Sequence, residues 1–177
     1  MKKVLIIIAT VIVFFIIYFM QANFFNFFTI AGIKPNLFII FVLFIGLYEG
    51  KKIGIGCGVC FGILLDIFIG KNIGATGILL GIIGLLGGYL DKNFSKESKI
   101  TIILMAMGAT FLFEFGVYLL NSFILSYEIQ IFAFMKIIFV EIIYNSILTI
   151  ILFPLFKKAG TFIEGNFKES KILTRYF

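Results

Sequence analysis

Six long apolar runs succeed one another along this chain, at about 4–20, 37–48, 53–69, 76–90, 100–120 and 131–156. Lys, Asn and Glu gather in the breaks between them. A helix needs roughly 20 apolar residues to cross a hydrocarbon core about 30 Å thick. The second run falls short of that length. The pattern predicts an all-α integral membrane protein: six transmembrane helices in one bundle over 1–156, then a basic tail over 157–177. Placing the N-terminus in the cytoplasm puts Lys2, Lys3, Lys51, Lys52, Lys92, Lys96, Lys99, Lys157, Lys158, Lys168, Lys171 and Arg175 on that side. Of the 15 basic residues only Lys34, Lys71 and Lys136 then fall outside or near the outer edge. Cytoplasmic loops carry such an excess of Lys and Arg. Both termini are therefore expected in the cytoplasm, and an odd number of spans would spoil the split.

Composition reinforces the pattern. The chain is 62% hydrophobic and 14% charged, against roughly 45–50% and about 25% in ordinary soluble domains. One membrane domain accounts for nearly all of it. The net charge of +6 is a topology signal, because no basic run resembles a nucleic-acid patch. Lys2 and Lys3 precede an apolar run as in a signal peptide. The run is long and lacks a small-residue cleavage site, so it reads as a retained helix. Residues 21–36 are expected outside, with Phe24, Phe25, Phe27 and Phe28 on the interface. Pro35 suits the first turn of the second helix.

The third run repeats a small residue every four positions: Gly50, Gly54, Gly58, Gly62, then Asp66 and Gly70. Residues four apart share nearly one helix face. The bare stripe lets another backbone approach closely, as in GxxxG packing. The fourth run steps by three and four through Gly74, Gly77, Gly81, Gly84 and Gly88, a seam suited to left-handed crossings. These glycines either pack the chain's own bundle or meet a separate chain. Four-residue steps drift by about 40° each. One straight neighbour therefore cannot follow the whole stripe, and Asp66 is expected to face a different contact from the glycines.

Three acids lie inside spans. A central Asp costs about 2.5–3.5 kcal/mol to insert, so each needs a reason. Asp66 ends the glycine stripe. Glu114 shares a helix face with Thr110 and Tyr118, and Glu141 shares one with Asn145 and Thr149. Together Asp66, Thr110, Glu114, Tyr118, Glu141 and Asn145 suggest a polar pocket in the outer half. The alternative is a hydrogen-bonded structural lock. Lys136 is a poor partner for Glu141 but could reach Asp66 if their helices adjoin. Cys57 and Cys60 form a C-x-x-C inside an apolar helix with no His or second pair nearby, and read as inert packing residues. No nucleophile elbow, P-loop, zincin helix or paired-Cys metal site appears. No enzyme activity, cofactor or metal is expected.

The stretch from Lys34 to Leu90 carries a family resemblance. Lys34-Pro35-Asn36-Leu37 opens the second helix, and a basic turn follows near Gly50. Gly62-Ile63-Leu64-Leu65-Asp66-Ile67-Phe68 closes the third, and Gly87-Gly88-Tyr89-Leu90 ends the fourth. The chain resembles the MreD family of rod shape-determining membrane proteins. Family members often have Asp where this chain has Asn36. The resemblance implies a non-enzymatic scaffold of the bacterial cell-elongation complex in the cytoplasmic membrane. Its implied partner is an MreC-like single-span protein, linking it to MreB filaments and peptidoglycan synthases; membrane lipids surround it and a homodimer stays open. The family is also similar in fold to S-components of energy-coupling-factor transporters. That keeps a vitamin- or small-molecule-binding transport subunit as the alternative, although the first span has only Ala9 of the Ala-x-x-x-Ala seam expected there.

Overall fold

A helix with no polar face must be buried on every side, and the second run, Leu-Phe-Ile-Ile-Phe-Val-Leu-Phe-Ile-Gly-Leu-Tyr-Glu, is such a helix. In the computed structural model, which describes residues 2–69, 74–93, 98–125 and 131–172, it forms α3 (Leu37–Glu49) at the centre of the bundle. Ile39, Ile40, Val42, Leu43 and Leu47 are wholly inaccessible. Around α3 stand α4 (Lys51–Ile69), α5 (Ala75–Asn93), α6 (Lys99–Leu125) and α7 (Ile131–Ile172), each in contact with it. At about 1.5 Å per residue α3 is roughly 20 Å long, shorter than a hydrocarbon core. It can be short because protein surrounds it.

All regular structure among the described residues is helical. Four helical segments are long and apolar enough to cross a membrane: Ile6–Phe27, Lys51–Ile69, Lys99–Phe123 and Ile131–Phe162. Leu37–Glu49 and Ala75–Asp91 are shorter apolar helices. Each of the six apolar runs is thus a helix.

Gly50 separates α3 from α4. Its φ of +87° and ψ of 175° lie in a region open essentially to glycine alone. A Cβ there would meet nothing, so Gly50 needs its glycine for the turn, while its backbone lies against Gly88. The glycines that follow do pack. A Cβ on Gly54 would come within 2.5 Å of the Gly84 carbonyl oxygen and 2.8 Å of Gly46 Cα. One on Gly58 would overlap the Leu80 carbonyl, and one on Gly62 the backbone of Thr76 and Gly77. Gly88 lies on the Lys51 backbone, while Gly77 and Gly81 receive the side chains of Ile63 and Val59. α5 therefore follows the α4 stripe along its length, contrary to the expectation that one neighbour could not. Glycines on both helices keep the two backbones in contact from Gly54 to Gly62.

The first helix, α1 (Lys2–Phe19), continues through a π-helical turn (Met20–Phe24) into α2 (Phe25–Phe27). The stretch after Met20 is thus helical as far as Phe27, with Phe24, Phe27 and Phe28 exposed. Asn23 Nδ2 donates to the Phe19 carbonyl at 3.1 Å, and buried Phe25 meets Tyr144 edge-on. α1 is a peripheral helix. Phe14 anchors it between Phe38 and Phe61 at ring-centroid distances of 5.3 and 4.8 Å, while Ile8, Ile12, Phe15 and Ile16 remain exposed. Ala31 and Gly32, both at positive φ, then make a tight turn closed by reciprocal Ile30–Ile33 hydrogen bonds.

At the other end, α7 runs through Pro154 to Ile172, so the basic stretch from 157 continues the helix. Phe156 stacks on Phe44 at 4.5 Å, and Gly160 lies against the Tyr48 ring. These contacts hold the extension against α3.

Candidate functional site

Polar side chains converge where α4 ends, α3 and α5 begin, and the middle turns of α6 and α7 meet. Asn145 on α7 is fully buried. Its Oδ1 accepts the Asn36 backbone N–H at 2.9 Å, and its Nδ2 donates to Thr110 Oγ1 at 3.0 Å. Glu141 Oε1 lies 3.5 Å from the same amide nitrogen. The first N–H groups of a helix lack intrahelical acceptors. Here α3 borrows them: Asn145 takes the N–H of Asn36, and Gln21 Oε1 takes that of Leu37 at 3.2 Å. Thr110 and Thr149 complete their hydroxyl bonds on carbonyls four residues back. The lock is local at its edges and long-range at its centre.

Asp66 caps a helix that is not its own. It is 3% exposed, and its Oδ2 accepts the N–H groups of Gly74 at 2.8 Å and Thr76 at 3.1 Å. A carboxylate at a helix N-terminus satisfies orphan donors and favours the helix dipole. α4 and α5, already in glycine contact, are thus tied at one end by a charge-assisted pair of bonds. Lys136 is exposed, and α4 packs on α3 and α5; the Asp66–Lys136 contact is not made.

Glu114 and Glu141 face each other across α6 and α7. Glu114 also lines a cavity of about 420 Å³ shared by the ends of five helical segments. Asp66, Gln21, Asn36, Thr76 and Asn121 supply the rest of its polar wall. Of the six residues assigned to a pocket from sequence, Asp66 and Glu114 line the cavity. Thr110, Glu141 and Asn145 form the network behind it. Tyr118 is turned away: its ring stacks on Phe134 at 4.3 Å, and its buried hydroxyl has no hydrogen-bond partner. Gln21, Thr76 and Asn121 were missed because single polar residues at span ends look interfacial. Cys57 and Cys60 are free thiols, and the described residues contain no group of three or more metal-ligating side chains.

The family model described as rod shape-determining protein MreD matches residues 1–159 of the 177-residue chain. The chain belongs to the MreD family. The match covers α1 to α6, α7 as far as residue 159 and both halves of the Asn145 network, so this MreD-family chain is a multi-pass membrane protein of rod-shape determination. No curated protein and no solved structure matches it.

Proposed function

We propose that this protein is a non-enzymatic scaffold of the bacterial cell-elongation complex, seated in the cytoplasmic membrane. In that role it holds an MreC-like single-span partner and, through it, helps organise MreB filaments and peptidoglycan synthases. The family match over residues 1–159 carries the reading. The described helices support it, since they offer lipid-exposed faces and a rigid, glycine-packed centre.

The positive-inside rule orients the bundle with both termini in the cytoplasm. The Gly50 end, with Lys51 over the Tyr89 ring at 4.6 Å, then faces the cytoplasm, and the Asp66 cavity faces out. Gly54, Gly58, Gly62, Gly84 and Gly88 are filled by the chain's own backbone, so a partner helix must use another surface. Gly56 points into open space on the outer face of α4, one turn from exposed Cys60.

Depletion in a rod-shaped host tests the role: rods are expected to round up, and unchanged rods would refute it. Co-purification tests the surface. Gly56→Leu is expected to weaken capture of the MreC-like partner while the bundle stays folded, whereas Gly58→Leu damages the bundle itself.

A further inference from the structure

Enclosure by protein excuses the short length of α3, but α5 is short and faces lipid. Ile78, Ile82, Leu85 and Tyr89 are exposed along one side of it. Its apolar stretch, 75–90, covers about 23 Å before Asp91 and Lys92. Its start is fixed by Asp66, whose Oδ2 takes the N–H groups of Gly74 and Thr76. Beside it the apolar stretch of α4, 53–69, covers about 24 Å. Lys51 and Lys52 precede that stretch, and Gly70, Lys71 and Asn72 follow it in the sequence. Ile53, Ile67 and Ile69 are exposed on it. Tilt only lowers the height a helix covers, so both figures are upper bounds. On the other side of the bundle, 100–120 of α6 and 137–156 of α7 each cover about 30 Å, with Leu104, Phe111, Phe139 and Ile151 exposed. A hydrocarbon core is about 30 Å thick. One side of the bundle fits it, and the other falls short by about 6 Å.

A short apolar face is accommodated by snorkelling, by association or by a thinner bilayer. Lys51 does not reach beyond the helix ends: its Nζ lies 4.6 Å from the Tyr89 ring centroid, beside the last turns of α5. Helix association in lipid favours small residues. The exposed stripe of α5 is bulky, while its Gly77, Gly81, Gly84, Gly87 and Gly88 are all filled by α3 and α4. We propose that the α4–α5 side draws the adjoining bilayer thin. Boundary lipids there span about 24 Å of hydrocarbon, against about 30 Å along α6 and α7. This surface is an interaction with lipid, independent of the scaffold role, and either can fail without the other.

The chain contains no Trp, so a single introduced Trp reports its own depth. Ile53→Trp and Ile69→Trp mark the two ends of α4, and Ile100→Trp and Leu119→Trp those of α6; all four positions are exposed. Each full-chain variant is reconstituted into dioleoyl-type phosphatidylcholine vesicles brominated at successive positions along the acyl chain, and fluorescence quenching is read. All four variants are expected to be quenched most by bromines nearest the headgroup, because the lipid beside α4 shortens to match it. Ile67→Trp, also exposed, replaces Ile69→Trp if that variant does not fold. Peaks of the α4 pair displaced towards the chain ends relative to the α6 pair, by about 6 Å summed over both ends, would mean an undeformed bilayer and overturn the proposal. An α4 pair quenched by no lipid would mean that a second protein chain covers the face, and would overturn it too.

Discussion

Asn145 ties three helices through one side chain, so Asn145→Leu is the sharpest test of the polar lock. Leu has the branching and heavy-atom count of Asn but bulkier end groups, so the change removes the polar atoms without opening a void. The Asn36 N–H at the head of α3 loses its acceptor. A buried donor left unpaired costs about 1–3 kcal/mol. The amide–Thr110 bond is lost as well, and interhelical side-chain bonds in membranes average about 0.6 kcal/mol. The 3.5 Å approach to Glu141 is too long to add much. The Thr149 bond persists, because it uses the Asn145 backbone carbonyl. The sum is a loss of about 2–4 kcal/mol. Thr110→Val keeps the Asn36 bond but strands an Asn145 amide hydrogen, and is expected to cost about 1–2 kcal/mol, less than Asn145→Leu. Both are measured by reversible unfolding in mixed micelles of rising denaturing-detergent fraction, read by circular dichroism. An Asn145→Leu protein within about 0.5 kcal/mol of the parent, the range of an ordinary surface change, would refute the reasoning. Equal losses from the two variants would refute it too.

Other substitutions probe the remaining contacts in the same assay. Gly58→Ala places a methyl group in the Leu80 carbonyl and should cost about 1–3 kcal/mol. Gly56→Ala points into open space and should be neutral or gain up to about 1 kcal/mol of helix propensity; equal effects of the two would dismiss the α4–α5 seam. Asp66→Ala strands the N–H groups of Gly74 and Thr76 and should cost about 0.5–2 kcal/mol. Asp66→Asn keeps an acceptor and should lose less, and the reverse order would contradict the capping role. Gly50→Ala forces a side chain onto a φ of +87°, at about 1–3 kcal/mol, although no atom obstructs it. A neutral Gly50→Ala would show that the turn relaxes.

The character of each segment was legible in the sequence, because run length and composition are local properties. The apolar runs became helices, and the 37–48 run, legible as too short for a membrane core, proved to be enclosed by the others. The four-residue glycine spacing announced backbone contact, and the in-span acids announced polar partners. What these features touch was not legible. The glycine stripe alone suggested a neighbour that leaves it partway. α5 stays on it, because glycines on both helices let the two backbones remain in contact. Asp66 looked like an acid in search of a cation, and its partners are backbone N–H groups at Gly74 and Thr76. Thr110, Glu114 and Tyr118 share one face of a helix, yet the fold sends Thr110 to Asn145, Glu114 to the cavity and Tyr118 to Phe134. The central bond of the lock joins residues 109 apart in the chain. Periodicity can place a polar atom on a face of one helix; only the packing of the other helices determines which donor or acceptor arrives opposite it.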